Sequence, residues 1–311
     1  MKTQPPALPA ELLRECHQRH AAAHFTRLAV FVALYLAGAA GAVLGARLVA
    51  AWWQWMLLLP LYLLAAASLH GISLFTHEAV HGTLMKNRWL NGLLGALCAM
   101  PVLQNFSAYR VLHLRHHADL GGDADPDHYA AYTRWSWLIF LMNWLRLLAG
   151  YPIYITMIPV LGFKHGRAGE RAGILAEVAA TTVLAWLCVT QLPAAWLIHG
   201  WAVPMLLINT MVNIRGMSQH TLLPHGDDEV LGTRTILTTP LVRFFMCNEN
   251  YHLEHHLHPG VPWHHLPRVH EALRDPLKSL GAPFIPSYTS FVVEFIRDSL
   301  RRGPLGKNRA A

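Results

Sequence analysis

Charge is what this chain has least of. Only 14% of its 311 residues are Asp, Glu, Lys or Arg, and 53% are hydrophobic. Soluble domains carry about 25% charged residues, so with a mean hydropathy of +0.28 the composition excludes an ordinary soluble domain and indicates a membrane protein. Cysteine is scarce as well. Cys16, Cys98, Cys188 and Cys247 stand apart with no CxxC pair, which excludes a disulfide framework and a thiolate zinc site. The polar, helix-compatible residues 1–27 lack a small-residue cleavage pattern, so no signal peptide is expected. The sequence also lacks haem, flavin and iron–sulfur motifs. Any electrons it uses must come from a separate donor.

Apolar runs of about 20 residues, enough to span a bilayer, are reached or nearly reached at 28–46, 52–75, 174–192 and 194–214. Two weaker stretches, 90–104 and 135–163, are broken by Pro101, Arg146, Pro152 and Pro159. These are expected to be interfacial or re-entrant pieces. Four spans leave Lys and Arg strongly asymmetric. Of the 25 positive residues only Arg47 falls in the two loops of one face, and the other 24 lie on the opposite face, taken as cytoplasmic. Trp52, Trp53 and Trp55 fit an aromatic belt at the outer turn. The net charge of +7 is spread along loops and tail, as anionic lipid head groups would favour, and does not indicate nucleic acid. The expected organisation is a cytoplasmic amphipathic lead-in (1–27), one integral membrane domain (28–302) and a disordered tail (303–311). The fold class is all-α, with four transmembrane helices in two hairpins under a cytoplasmic helical cap.

Histidine is what is present in excess. Eight of the 21 lie in three clusters: His77 and His81; His113, His116 and His117; His252, His255 and His256. Spacings of i, i+3 and i+4 put each cluster on one face of a helix. Neutral imidazole is the commonest protein metal ligand, and eight are too many for one ion and about right for two. The first cluster also reads His-Glu-x-x-His, a zinc-protease pattern with Glu78 as general base, but that would leave the other two clusters without a role. A metal transporter would place acids along the membrane midplane, where only Glu177 is found. His70 and His199 are expected to pack helices, and His264-His265, beyond Pro262, to be surface or supporting residues. His258-Pro259-Gly260 lacks the context of a fused haem domain.

The three clusters, read as HxxxH, HxxHH and HxxHH, resemble the histidine boxes of the membrane-bound fatty acid desaturase and hydroxylase superfamily. His81-Gly82-Thr83 leading to Asn87-Arg88-Trp89-Leu90-Asn91 is similar too, as are Asp125-Pro126-Asp127, Asn250-Tyr251-His252, His258-Pro259 and Val261-Pro262-Trp263. The resemblance covers about residues 60–275. It implies a di-iron centre in which O2 is used to remove hydrogen from an unactivated methylene, leaving a cis double bond or, by oxygen transfer, an alcohol. Arg215-Gly216-Met217-Ser218-Gln219-His220 resembles the family's R-x-x-x-E-H, which makes His220 a ninth ligand ahead of His225 and puts Gln219 where glutamate is common. Glu78, Asp119, Asp123, Glu249 and Glu254 are candidates to orient the imidazoles. Asn209 and Asn213 are read as helix-packing residues. The resemblance further implies a lipid acyl substrate entering from the bilayer and a ferredoxin or cytochrome b5-like donor at the basic face. Box three begins with His252 rather than glutamine, unlike front-end desaturases. Desaturation of a fatty acyl chain is the favoured expectation, with carotenoid oxygenation as the alternative.

Overall fold

Helices dominate because a chain this apolar can satisfy its backbone in lipid only through its own hydrogen bonds. The structure, a computed structural model, describes residues 2–129, 132–224 and 228–303. His225 and residues 304–311 of the expected tail lie outside them. Among the described residues, five helical stretches are long and apolar enough to cross a bilayer: Ala21–Ala46, Trp52–Val80, Ser136–His165, Ala168–Gln191 and Trp196–His220. The lead-in is shorter than expected. Helix α1 (Ala10–Cys16) gives way to α2 (Ala21–Ala46) seven residues before Leu28.

Helix α2 packs antiparallel on α3 (Leu59–Val80) beyond a 3-10 stretch, Trp52–Leu58. Small residues permit the approach: a Cβ on Gly38 would stand 2.9 Å from backbone atoms of Leu61 and Ala65. From Ser68 to Val80 only Ser73 escapes burial in α3. Its end is sharply defined. His81 caps it, Gly82 turns to φ +70°, and the Gly82 and Thr83 N–H groups donate to the carbonyls of Ala79 and Glu78, closing a Schellman turn. Helix α4 (Arg88–Ala99) starts at the N-cap Asn87, and α5 (Phe106–Ala118) at the N-cap Asn105.

The stretch expected to be broken is one helix, α6 (Ser136–His165), kinked at Ala149. Pro152 has no N–H to offer the Leu148 carbonyl one turn back. Asn209 substitutes for it: its Nδ2 donates to the Leu148 carbonyl at 3.0 Å, and its Oδ1 accepts from the Tyr151 N–H at 3.0 Å. That is how a kink survives among apolar residues, since the freed groups are satisfied by a neighbouring side chain. Helix α6 lies against α5, where a Cβ on Gly162 would stand 2.6 Å from Ala108.

Helix α7 (Ala168–Gln191) buries only Ile174, as a helix apolar all round and facing lipid would. Glu177, in its apolar stretch, accepts from the N–H and hydroxyl of Ser107, at the positive end of α5. A π-helical turn, Trp196–Ala202, leads into α8 (Val203–His220). The remainder forms a helical layer comprising α9 (Glu229–Gly232), β1 (Thr235–Ile236), α10 (Pro240–Phe245), α11 (His252–Leu257), α12 (Leu266–Ser279), β2 (Phe284–Ile285) and α13 (Tyr288–Arg302). The two short strands pair in parallel, Thr235 with Phe284 and Ile236 with Ile285. Leu253, Val261, Leu266, Val269, Leu273 and Leu277 make the core of this layer, and Leu8 and Cys16 of the lead-in pack into it.

Candidate metal centre

The first two histidine clusters and His220 sit where helices end. His77 and His81 occupy the last turn and cap of α3, His113, His116 and His117 the end of α5, and His220 the last residue of α8. Carbonyl ends of helices carry partial negative charge, so three helix termini already favour a cation between them. Helix α11 brings His252, His255 and His256, all buried.

The nine imidazoles fall into two adjoining groups. Candidate ligand nitrogens of His77, His81, His113, His117 and His255 lie within 4.8 Å of one another, and so do those of His116, His220 and His256. His252 completes the second group, its Nε2 3.2 Å from that of His220 and 3.1 Å from that of His256. In the first group the Nε2 atoms of His81 and His113 are 3.0 Å apart, those of His113 and His117 3.1 Å. Metal–imidazole bonds of about 2.0–2.1 Å place neighbouring ligand nitrogens roughly 2.9–3.4 Å apart, so this spacing suits metal coordination. The rings of His117 and His256 stack at 4.2 Å and join the groups.

The electrostatics agree. Burial, reinforced by the neighbouring rings, holds His113, His252, His255 and His256 well below the usual imidazole pKa. They stay neutral with a lone pair to offer. His77 Nε2 is buried without any hydrogen-bond partner, an arrangement that costs free energy unless something binds there. The donor set fits two borderline divalent ions such as iron.

Residues 53–288 match the family described as fatty acid desaturase. The chain belongs to that family. The beta-carotene ketolase of Paracoccus sp. (strain PC1) is 28% identical to this desaturase-family chain over 211 residues, 64% of this chain and 73% of that protein. The sn-1 acyl-lipid omega-3 desaturase (ferredoxin) of a Synechocystis strain is 25% identical over 228 residues, 64% of this chain and 62% of that protein. A sphingolipid delta(4)-desaturase/C4-monooxygenase of Bos taurus is 25% identical over 252 residues, 76% of this chain and 73% of that protein. This desaturase-family chain is thus an integral membrane oxidoreductase.

Around the desaturase-family histidines the supporting groups differ from expectation. Asp119 accepts from the Ala124 N–H and organises the turn after α5, and Asp123 is exposed. The acid that meets a box-two imidazole is Asp125, whose Oδ1 lies 2.9 Å from His116 Nδ1. The turn folds it back, its oxygens accepting from the N–H groups of Gly121 and Asp127. Burial opposes charge on His116, yet the Asp125 hydrogen bond and nearby carboxylates outweigh it and raise the pKa. A carboxylate here fixes the tautomer that frees Nε2 for a metal. Asp125-Pro126-Asp127 is the sequence feature that marks this acid.

Glu78 accepts from the Thr83 hydroxyl and the Trp263 N–H. It is tied off from the imidazoles and not placed to act as a protease base. Glu254 binds His270 and Thr235 rather than a box histidine. Glu249 does reach the centre. Its oxygens stand 3.8 Å from His77 Nδ1 in the first group and 3.8 Å from His252 Nδ1 in the second, and Arg215 holds it at 2.6 Å. Gln219 lies between, its amide nitrogen 3.3 Å from Glu249 and 3.1 Å from His252 Nδ1. Glu249 thus supplies the negative charge missing at Gln219. With His252 Nε2 given to a metal, its proton sits on Nδ1, the side that faces Glu249.

His220 Nδ1 lies 3.0 Å from the Gly232 carbonyl. The fully buried Arg234 donates to the Ser218 and Thr221 carbonyls, bracing the end of α8 that carries His220; nothing in the sequence around it marked that role. His70 is buried within α3, and His199 meets the Tyr62 hydroxyl at 2.7 Å; neither joins the centre. Asp125→Asn should lower metal affinity or turnover by about 10–100-fold, read as metal content and product formation. Unchanged metal content would show that the carboxylate does not orient His116.

A cavity of about 310 Å³ opens against both groups, reaching His113, His116, His220 and His252. Its walls come from α5, α6 and α8, with Leu112, Met142, Leu145, Ile153, Met157 and Leu161 giving an apolar lining. Arg215, Asn213, Gln219 and Glu249 stand at its metal end. The cavity leans on α6, the stretch expected to be an interfacial or re-entrant piece.

Proposed function

We propose that this protein introduces a cis double bond into the fatty acyl chain of a membrane lipid, using O2 and two iron ions held by the nine histidines. His77, His81, His113, His117 and His255 would hold one ion, and His116, His220, His252 and His256 the other. The observation that carries this reading is the convergence of nine imidazoles from four helices on one end of an apolar cavity. Iron bound there supplies the oxidising chemistry that removes hydrogen from a methylene. The chain's own residues do the rest. The imidazoles leave the metals' charge uncancelled, Glu249 and Asp125 fix ring orientation, and the cavity wall excludes water from the acyl chain beside them.

In this reading α2, Trp52–Val80, α7 and Trp196–His220 cross the bilayer, while α6 enters without completing a crossing. Parity supports it. Between the histidines of α5 and His220 lie α6, α7 and α8, and only an even number of crossings returns the chain to the same face. The kink at Ala149 and the satisfied backbone around it suit such a re-entrant path. The histidines then face the cytoplasm with 24 of the 25 positive residues, a surface suited to an acidic donor of the ferredoxin or cytochrome b5 kind. The Synechocystis relative carries ferredoxin in its name.

A second reading, oxygenation of a carotenoid, rests on the 28% identity to a beta-carotene ketolase. Expression in a host supplied with both fatty acids and carotenoids, followed by mass spectrometry of total lipids, separates the two. Acyl chains lighter by two hydrogens are expected. Unchanged acyl chains with carotenoids that have gained oxygen would overturn the desaturation reading.

A further inference from the structure

Histidines gather a second time, away from the nine. His20 lies in the turn between α1 and α2, and His264 and His265 precede α12. Their ligand-capable nitrogens lie within 4.8 Å of one another. Ring centroids are 5.6 Å apart for His20 and His264, 5.5 Å for His20 and His265, and 4.4 Å for His264 and His265. His24, one turn along α2, stands 5.2 Å from the His264 ring. This group shares no residue with the centre described above.

Three nitrogens of this group lack partners. Both ring nitrogens of His264 and Nε2 of His265 are buried without a hydrogen bond. Buried polar atoms are rarely left unsatisfied, and two such adjacent rings call for a shared partner. The nearest carboxylate is not free to serve, because Glu15 is engaged by Arg268 at 2.7 Å. Burial and the adjacent rings keep His264 and His265 below the usual imidazole pKa, so their lone pairs are available at neutral pH. His20 is exposed and can turn inward without disturbing the core.

We propose that His20, His264 and His265 form a further metal site, taking one borderline divalent ion such as zinc, with water at the position left open. Three imidazoles and a water are a standard zinc complement, whose nitrogens stand about 3.3 Å apart; here they lie within 4.8 Å of one another. The ion would clasp the lead-in to the cap. Those two parts already meet through the Arg268–Glu15 pair and through Cys16 in the cap core. Metal binding to the folded state alone stabilises it, so zinc would hold the lead-in against the layer that carries box three.

The test uses the full protein in detergent, with whatever metal its nine-histidine centre holds at purification. It is dialysed to equilibrium against micromolar zinc, and all metals are then quantified. One zinc per chain is expected, with the original metal retained. His20→Ala and His264→Gln should each weaken zinc binding by about tenfold or more and abolish the zinc-induced rise in Tm, with the purified metal content unchanged. His20 is exposed, so its variant is expected to fold even if the His264 variant does not. Zinc binding equal in wild type and His20→Ala, or zinc taken up only as the original metal leaves, would overturn the proposal.

Discussion

His255→Ala should lower turnover by more than about a hundredfold, a larger loss than removal of an outer partner causes, while the protein still inserts and folds. His255 stands with His77, His81, His113 and His117, whereas its neighbour His256 stands with His116 and His220. The two adjacent variants therefore probe different metal positions. Each should reduce bound iron from about two ions per chain towards one, because affinity follows the number of correctly placed ligands. Metal analysis of purified protein and mass spectrometry of the lipids check both halves. Full activity in His255→Ala would remove that residue from the centre. Complete loss of metal in both variants would indicate one cooperative site.

Glu249→Ala should be the most damaging change outside the nine histidines. The largely enclosed Arg215 would be left without its partner, and breaking a fully buried pair costs about 3–5 kcal/mol, an upper bound for a side chain that is 15% exposed. His77 and His252 would also lose the carboxylate that faces them from between the two groups. Lower Tm and loss of both metals are expected together. Glu249→Gln keeps the shape and removes the charge, so it should unfold less readily than the alanine variant yet still lose about 10–100-fold in metal affinity. A double variant, Arg215→Met with Glu249→Leu, separates the effects. Stability should return as the unpaired charge disappears, and metal should not. An alanine variant as stable and as metal-rich as wild type would show that the ion pair does not organise the centre.

Local chemistry was readable where helical period dominates. The i, i+3, i+4 spacings put imidazoles on single faces whatever the surrounding fold, so the histidines that converge could be named from the chain, and the family with them. Arg215-Gly216-Met217-Ser218-Gln219-His220 marked His220 by its resemblance to the family's pattern, not by period. Long-range pairings were not readable. Asp119 and Asp123 are nearer to box two in sequence than Asp125, but the turn after α5 curls the more distant acid onto His116. Glu254 lies inside box three, yet it faces His270 because side chains on a short helix point in different directions.

Composition and period determined by themselves that this chain is helical and membrane-embedded and that its histidines group into sets able to hold a metal, since both follow from which groups tolerate lipid and which residues share a helix face. Only tertiary structure decided how the boxes divide. His113 and His117, four apart on α5, go to one group with His255, and His116 goes to the other, turned towards Asp125 and His220. Tertiary structure also decided that a stretch with two prolines and an arginine is one kinked helix. Asn209, far away in sequence, binds the carbonyl that Pro152 abandons, and a satisfied backbone is the condition for lying among apolar neighbours.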